Sequence, residues 1–138
     1  MDKSLPVTQI MTKKVVVANL NNKFSQVRKL FLEYNLHHLP VTSEDGHKII
    51  GIISQLDVIK AYNDYSSNHK VFEDRVLDNE IKLEDIMTTN PDTIHPDDTI
   101  KKAAEVFAAK KYHALPVADD GIIKGIVTSN DLIKFILD

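Results

Sequence analysis

Two short runs in this chain set a hydroxyl and a carboxylate at the same spacing: Gly51-Ile52-Ile53-Ser54-Gln55-Leu56-Asp57 and Gly125-Ile126-Val127-Thr128-Ser129-Asn130-Asp131. A Ser or Thr at the start of a helix, with an acid three residues on, can close a capping box that satisfies two orphan N–H groups. The same element also suits a ligand. A strand that ends at a helix N-terminus presents N–H donors and a hydroxyl that favour a phosphate. A carboxylate one turn onward accepts hydrogen bonds from a sugar diol. Gly51 and Gly125, three residues before the hydroxyl, remove a side chain where backbones crowd. Asp is shorter than the Glu or Gln that a capping box favours, which tilts the reading toward a ligand.

Enzymatic chemistry finds less support. The chain has no cysteine, so thiolate nucleophiles, thiolate metal sites and disulfides are excluded. Its six histidines, at 37, 38, 47, 69, 95 and 113, lack the His-x-x-x-His spacing of a helical metal site. There is no Gly-x-Ser-x-Gly and no Gly-x-x-x-x-Gly-Lys-Ser/Thr run, and four glycines in 138 residues leave no room for the latter loop. The reading is a protein that is not an enzyme and holds no metal.

With 17 basic and 20 acidic side chains the net charge is −3, which gives no general attraction to nucleic acid. The lysine pairs 13–14, 101–102 and 110–111 are short and dispersed, as on solvated faces. No apolar run approaches a membrane span, and residues 1–6 lack a signal-peptide core. The expectation is a complete, soluble, cytoplasmic protein without a membrane or nucleic-acid partner.

The elements that position the two runs come in duplicate. Ile10-Met11-Thr12 recurs as Ile86-Met87-Thr88, and His37-His38-Leu39-Pro40-Val41 as His113-Ala114-Leu115-Pro116-Val117, both 76 residues on. Asp45-Gly46 returns as Asp120-Gly121, 75 residues on, and the Gly-x-x-Ser/Thr runs are 74 apart. The two lost residues fall in turns, where loops tolerate them. Each copy predicts a short strand (15–17; 93–94), then an amphipathic helix with Phe24, Val27, Leu30, Phe31 and Tyr34, or Ile100, Ala103, Ala104, Phe107 and Ala108, on one face. Asn22 and Asp98 are the expected N-caps. A hairpin through Asp-Gly and a closing helix complete the copy. The expected fold is α+β, mixed, with domains at 7–65 and 83–138. A connector at 66–82 gains some helix where Val71, Phe72 and Val76 pack.

A doubled strand–helix–strand–strand–helix unit, each copy ending in Gly-x-x-Ser/Thr-x-x-Asp, resembles a tandem pair of CBS domains, a Bateman module. The resemblance implies two copies packed face to face about a pseudo-twofold axis and a homodimer. It also implies a regulatory role, with adenine-containing ligands (AMP, ADP, ATP or S-adenosylmethionine) in clefts between the copies. One set of contacts is then Thr12, Val17, Leu36, His37 and His38 with Thr128, Asn130 and Asp131. The other is Thr88, Thr93, Tyr112, His113 and Ala114 with Ser54, Leu56 and Asp57. By the same resemblance each Asp holds the ribose, Val17 or Ala114 borders the adenine, and His37, His38 and His113 face phosphate with Lys110 and Lys111 nearby. Family members often carry Arg where this chain has His38 and Ala114, which implies unequal sites and weaker polyphosphate binding. This chain carries no fused enzyme, channel or transporter, so the expectation is that it regulates a separate, unknown protein or acts through its own assembly state. The competing reading is a dimerisation scaffold that binds nothing, with both Ser/Thr-x-x-Asp runs acting only as caps.

Overall fold

The computed structural model describes residues 1–110 and 112–138. They form two compact units, a central one (Val16–Asn90) and a split one (Met1–Val15 with Pro91–Asp138).

In the central unit, β1 (Ala18–Asn19) lies parallel to β2 (His38–Thr42), which forms a hairpin with β3 (Ile49–Ser54); β4 (Thr88–Thr89) pairs antiparallel with β3. The helices are α1 (Phe24–Tyr34), α2 (Gln55–His69), α3 (Asp74–Glu80) and α4 (Leu83–Ile86). The apolar stripe of α1 is spaced three and four residues apart, so Phe24, Val27 and Phe31 enter one core with Leu39, Val41, Ile53, Val58 and Leu77. Asn35 ends α1 in the left-handed region at φ 52°, a conformation Asn tolerates better than most residues.

The split unit repeats this plan. After a single 3-10 turn (Val7–Gln9) come α5 (Ile100–Lys110), β5 (Ala114–Asp119), β6 (Ile122–Thr128) and α6 (Ser129–Leu137). Ile94 makes a parallel bridge to Val117, as β1 does to β2, and Thr12 an antiparallel bridge to Ile126, as β4 does to β3. Asp120 and Gly121 both have positive φ, 52° and 78°, which matches the twist of the flanking strands and closes the β5–β6 hairpin tightly. Val7, Ile94, Ile100, Ala103, Phe107, Leu115, Val117, Val127 and Leu132 form its core.

Each unit therefore borrows its last strand. The Met-Thr segment that opens the first sequence copy completes the split unit, and the one that opens the second completes the central unit. The two copies are interlocked.

Several local expectations are corrected. The first strand lies at Ala18–Asn19 rather than 15–17. Lys23, not Asn22, precedes α1; Asn22 Oδ1 instead accepts the Asn19 N–H (2.8 Å) to close the turn ahead of the helix. The α1 N-terminus is served from the connector, where the Asp78 carboxylate accepts both Ser25 N–H and Ser25 Oγ–H at 2.7 Å. Asp98 is likewise not the cap of α5: Thr99 Oγ1 accepts the Lys102 N–H (3.1 Å), while Asp98 Oδ2 accepts the His95 N–H (2.8 Å). In the connector Leu77 is fully buried and Phe72 is exposed, because α3 presents Leu77 to α1. Among the described residues no helix is long and apolar enough to cross a membrane.

Candidate functional site

Both Gly-x-x-Ser/Thr-x-x-Asp runs fold alike. In the central unit β3 passes directly into α2 at Ser54. Ser54 Oγ accepts the Asp57 N–H (3.0 Å), and Asp57 Oδ2 accepts the Ser54 N–H (2.9 Å). In the split unit Thr128 Oγ1 accepts the Asp131 N–H (3.1 Å), and Asp131 Oδ2 accepts the Thr128 N–H (2.8 Å). Asp is thus long enough to close the box in both places, and its length is no argument against capping. Capping uses one carboxylate oxygen. Oδ1 of Asp57 and Oδ1 of Asp131 have no hydrogen bond among the described residues, and both side chains are half-buried.

The helix N-termini are already partly satisfied. Gln55 N–H donates to the His37 carbonyl (2.9 Å) and Ser129 N–H to the His113 carbonyl (3.0 Å). With the third N–H of each helix on the cap hydroxyl, among the described residues only the second, from Leu56 or Asn130, is left for an outside acceptor. That geometry leaves less for a phosphate than a bare helix N-terminus offers. One such N–H in the same helical turn as one carboxylate oxygen without a hydrogen bond suits a group that both donates and accepts, as a sugar hydroxyl does.

The glycines have a definite cause. A Cβ on Gly51 would lie 2.6 Å from Met87 Sδ, and one on Gly125 would lie 2.7 Å from Met11 Sδ and 2.8 Å from the Thr12 carbonyl oxygen. The Met-Thr segments cross β3 and β6 at these points and set Thr88 opposite Ile52 and Thr12 opposite Ile126, two residues before the cap hydroxyls. On the other side of each strand His38 pairs with Ser54 and Ala114 with Thr128. Met11 and Met87 were not singled out from the sequence, although they recur together with their glycines.

The expected contacts fall as follows. The central unit holds Val17, Leu36, His37, His38, Ser54, Leu56, Asp57 and Thr88, and brings His38, Ser54, Asp57 and Thr88 onto adjacent strands or the helix that follows. The split unit holds Thr12, Thr93, Tyr112, His113, Ala114, Thr128, Asn130 and Asp131, and does the same for Thr12, Ala114, Thr128 and Asp131. Leu56 is 56% exposed at the start of α2. Tyr112 already donates its hydroxyl to Asp92 Oδ2 (2.7 Å), and this bond raises the phenol above its ordinary value of 10.0. Lys111 lies outside the described residues. A 290 Å³ cavity opens beside Asp131, lined also by Gln9, Ile10 and Lys134.

Residues 7–64 and 83–138 each match the family model described as the CBS domain. This chain belongs to the CBS-domain family. CBS-domain pairs are regulatory, ligand-binding modules without catalytic groups, and the duplicated strand–helix–strand–strand–helix plan is theirs. The chain is 31% identical over 137 residues to protein MJ1225 of Methanocaldococcus jannaschii, covering 97% of this chain and 48% of that one. The crystal structure of MJ1225 superposes with a TM-score of 0.82 over 99% of this chain and 49% of that chain. The CBS domain pair of protein MJ0100, solved in complex with 5′-methylthioadenosine and S-adenosyl-L-methionine, is 30% identical with a TM-score of 0.77, covering 95% of this chain and 98% of that pair. L-aspartate semialdehyde sulfurtransferase of M. jannaschii is 31% identical over 127 residues, which is 91% of this chain but 22% of that protein. The chain thus spans half or less of the length of these two curated relatives.

Proposed function

We propose that this CBS pair is a sensor of adenosyl ligands that acts on a separate protein. The observation that carries the proposal is the carboxylate oxygen left over in each unit. Asp57 and Asp131 each cap a helix with Oδ2 and, among the described residues, leave Oδ1 without a hydrogen bond in the first helical turn, a pattern that suits a ribose hydroxyl pair. The 30% identical pair that holds 5′-methylthioadenosine and S-adenosyl-L-methionine supports the same ligand class. The two sets of side chains named from the sequence are proposed as the contacts, with AMP, ADP, ATP, S-adenosylmethionine and methylthioadenosine as candidates. Binding to one conformer shifts the population toward it, and the partner reads that change. A homodimer is part of the proposal and is checked by light scattering.

The scaffold reading is favoured by one fact: both capping boxes are fully formed. Asparagine separates the two readings. In Asp131→Asn and Asp57→Asn the side-chain carbonyl still accepts the cap N–H, while the free oxygen becomes an amide NH₂ that cannot accept from a diol. Calorimetric titration with the five ligands is expected to lose about tenfold or more in affinity at one site per substitution, in line with about 1.5–3 kcal/mol for a hydrogen bond to a charged group. A wild-type protein that binds none of the five supports the scaffold.

A further inference from the structure

With the helix N-termini largely spent, a ligand's phosphate has to be held elsewhere, and the two units differ in what they offer. On β6 the inward positions Gly125 and Val127 are buried, so Lys124, Ile126 and Thr128 share the opposite face of the strand. Thr12 sits beside Ile126 on that strand, bonded both ways (Thr12 N–H to Ile126 O, 2.8 Å; Ile126 N–H to Thr12 O, 3.0 Å). Two residues beyond each member of this bridge, away from the cap, stand Lys14 and Lys124. Both are exposed, and neither has an ion pair among the described residues. In the central unit the corresponding bridge is extended by one more pair, Gly51 with Thr89. Thr88 pairs with Ile52, and two residues beyond stand Asn90 and Ile50, where Asn90 N–H donates to the Ile50 carbonyl (3.1 Å). Past its bridge one unit thus carries two exposed cations, Lys14 in the bend after Thr12 and Lys124 on β6, and the other carries an amide and an aliphatic side chain.

We propose that Lys14 and Lys124 make the site containing Thr12 and Asp131 selective for an adenosine 5′-phosphate, while the site containing Thr88 and Asp57 takes an adenosyl ligand with an uncharged 5′ substituent. This rests on the adenosyl reading above and adds the charge class of the ligand to each Asp. The lysines act as point charges on the phosphate, so their contribution is sensitive to salt, unlike the ribose contacts.

AMP and 5′-methylthioadenosine share the nucleoside and differ only at the 5′ position, which makes them the probes. Calorimetric titration of the full chain as wild type, Lys14→Met, Lys124→Met and the double variant is compared at low salt and at 0.5 M NaCl, about the range over which exposed charges are screened. AMP affinity is expected to fall about fivefold per lysine, the size of an exposed charge contact, and methylthioadenosine affinity to stay within about twofold. In Asp57→Asn the AMP site remains, and in Asp131→Asn it is lost. AMP binding unchanged by the double variant, or both ligands weakened equally, overturns the charge assignment and leaves the adenosyl reading standing. Failure of both probes on the wild-type chain instead removes the adenosyl reading, and the assignment with it.

Discussion

Replacing Gly125 by alanine tests whether the crossing Met-Thr segments dictate the glycines. The new Cβ would stand 2.8 Å from the Thr12 carbonyl oxygen and 2.7 Å from Met11 Sδ. A thioether can swing aside, but Thr12 is tied to Ile126 by two backbone bonds and its carbonyl cannot move without breaking one. At Gly51 the near atom is again a thioether, Met87 Sδ at 2.6 Å, while the Thr88 carbonyl is farther off at 3.1 Å. Overpacking of this kind costs about 1–3 kcal/mol. Alanine recovers about 0.5–1 kcal/mol of that through a less flexible unfolded chain. Gly125→Ala is therefore expected to destabilise by about 2 kcal/mol and Gly51→Ala by about 0.5 kcal/mol or less. Thermal and guanidinium unfolding followed by circular dichroism reads this difference, with about 4 °C of melting temperature per kcal/mol. Adding Met87→Ala is expected to cancel the cost of Gly51→Ala in a double-mutant cycle, whereas Met11→Ala relieves only part of the cost at Gly125. Equal costs at the two glycines, or complete rescue by Met11→Ala, would refute the reasoning.

Three further outcomes follow from the same structure. Asp78→Ala removes the carboxylate that accepts two Ser25 hydrogen bonds at the start of α1 and is expected to cost about 1–2 kcal/mol in urea unfolding, as for a lost helix cap; Ser25→Ala, which keeps the backbone donor, costs less. Asp98 is held below the ordinary carboxylate value of 3.8: burial, its largest single influence, pushes it up, but the His95 N–H and Lys102 together outweigh burial. Its contribution is present above the unfolded value and is lost as pH falls through the lowered folded value, so wild type and Asp98→Asn should converge in melting temperature on acidification below about pH 4. Ser66 is buried in α2 with no partner for its hydroxyl among the described residues, so Ser66→Ala is expected to leave stability unchanged or raise it by about 1 kcal/mol in thermal unfolding.

The duplicated motifs made the strand–helix–strand–strand–helix plan legible, because the short apolar runs of β3 and β6, the Asp-Gly turns and the three-and-four stripes of α1 and α5 are written in residue types. The crowding at Gly51 and Gly125 was legible too, but not its source. Repetition shows that Met11 resembles Met87; it does not show that each lies across the other copy's glycine. The caps were misassigned for a similar reason. Asn22 and Asp98 have the side chains that local rules favour, yet Asp78 reaches α1 from 53 residues away, beyond any local rule. At the candidate site the carboxylates were found by type and spacing. That one oxygen of each caps and the other stays free is a matter of rotamer, which one-dimensional spacing does not carry.

The exchange of opening strands has a consequence for how such a chain can arise and be cut. A single copy made alone would carry a Met-Thr segment with no ladder beside it and a β-edge left bare. Two such halves in one solution would satisfy each other by trading those segments, as a swapped dimer does. Covalent fusion turns that trade into an intramolecular event at an effective concentration on the order of millimolar. Duplication here acts as a tether, and deleting either copy takes away the segment that borders the other's hairpin.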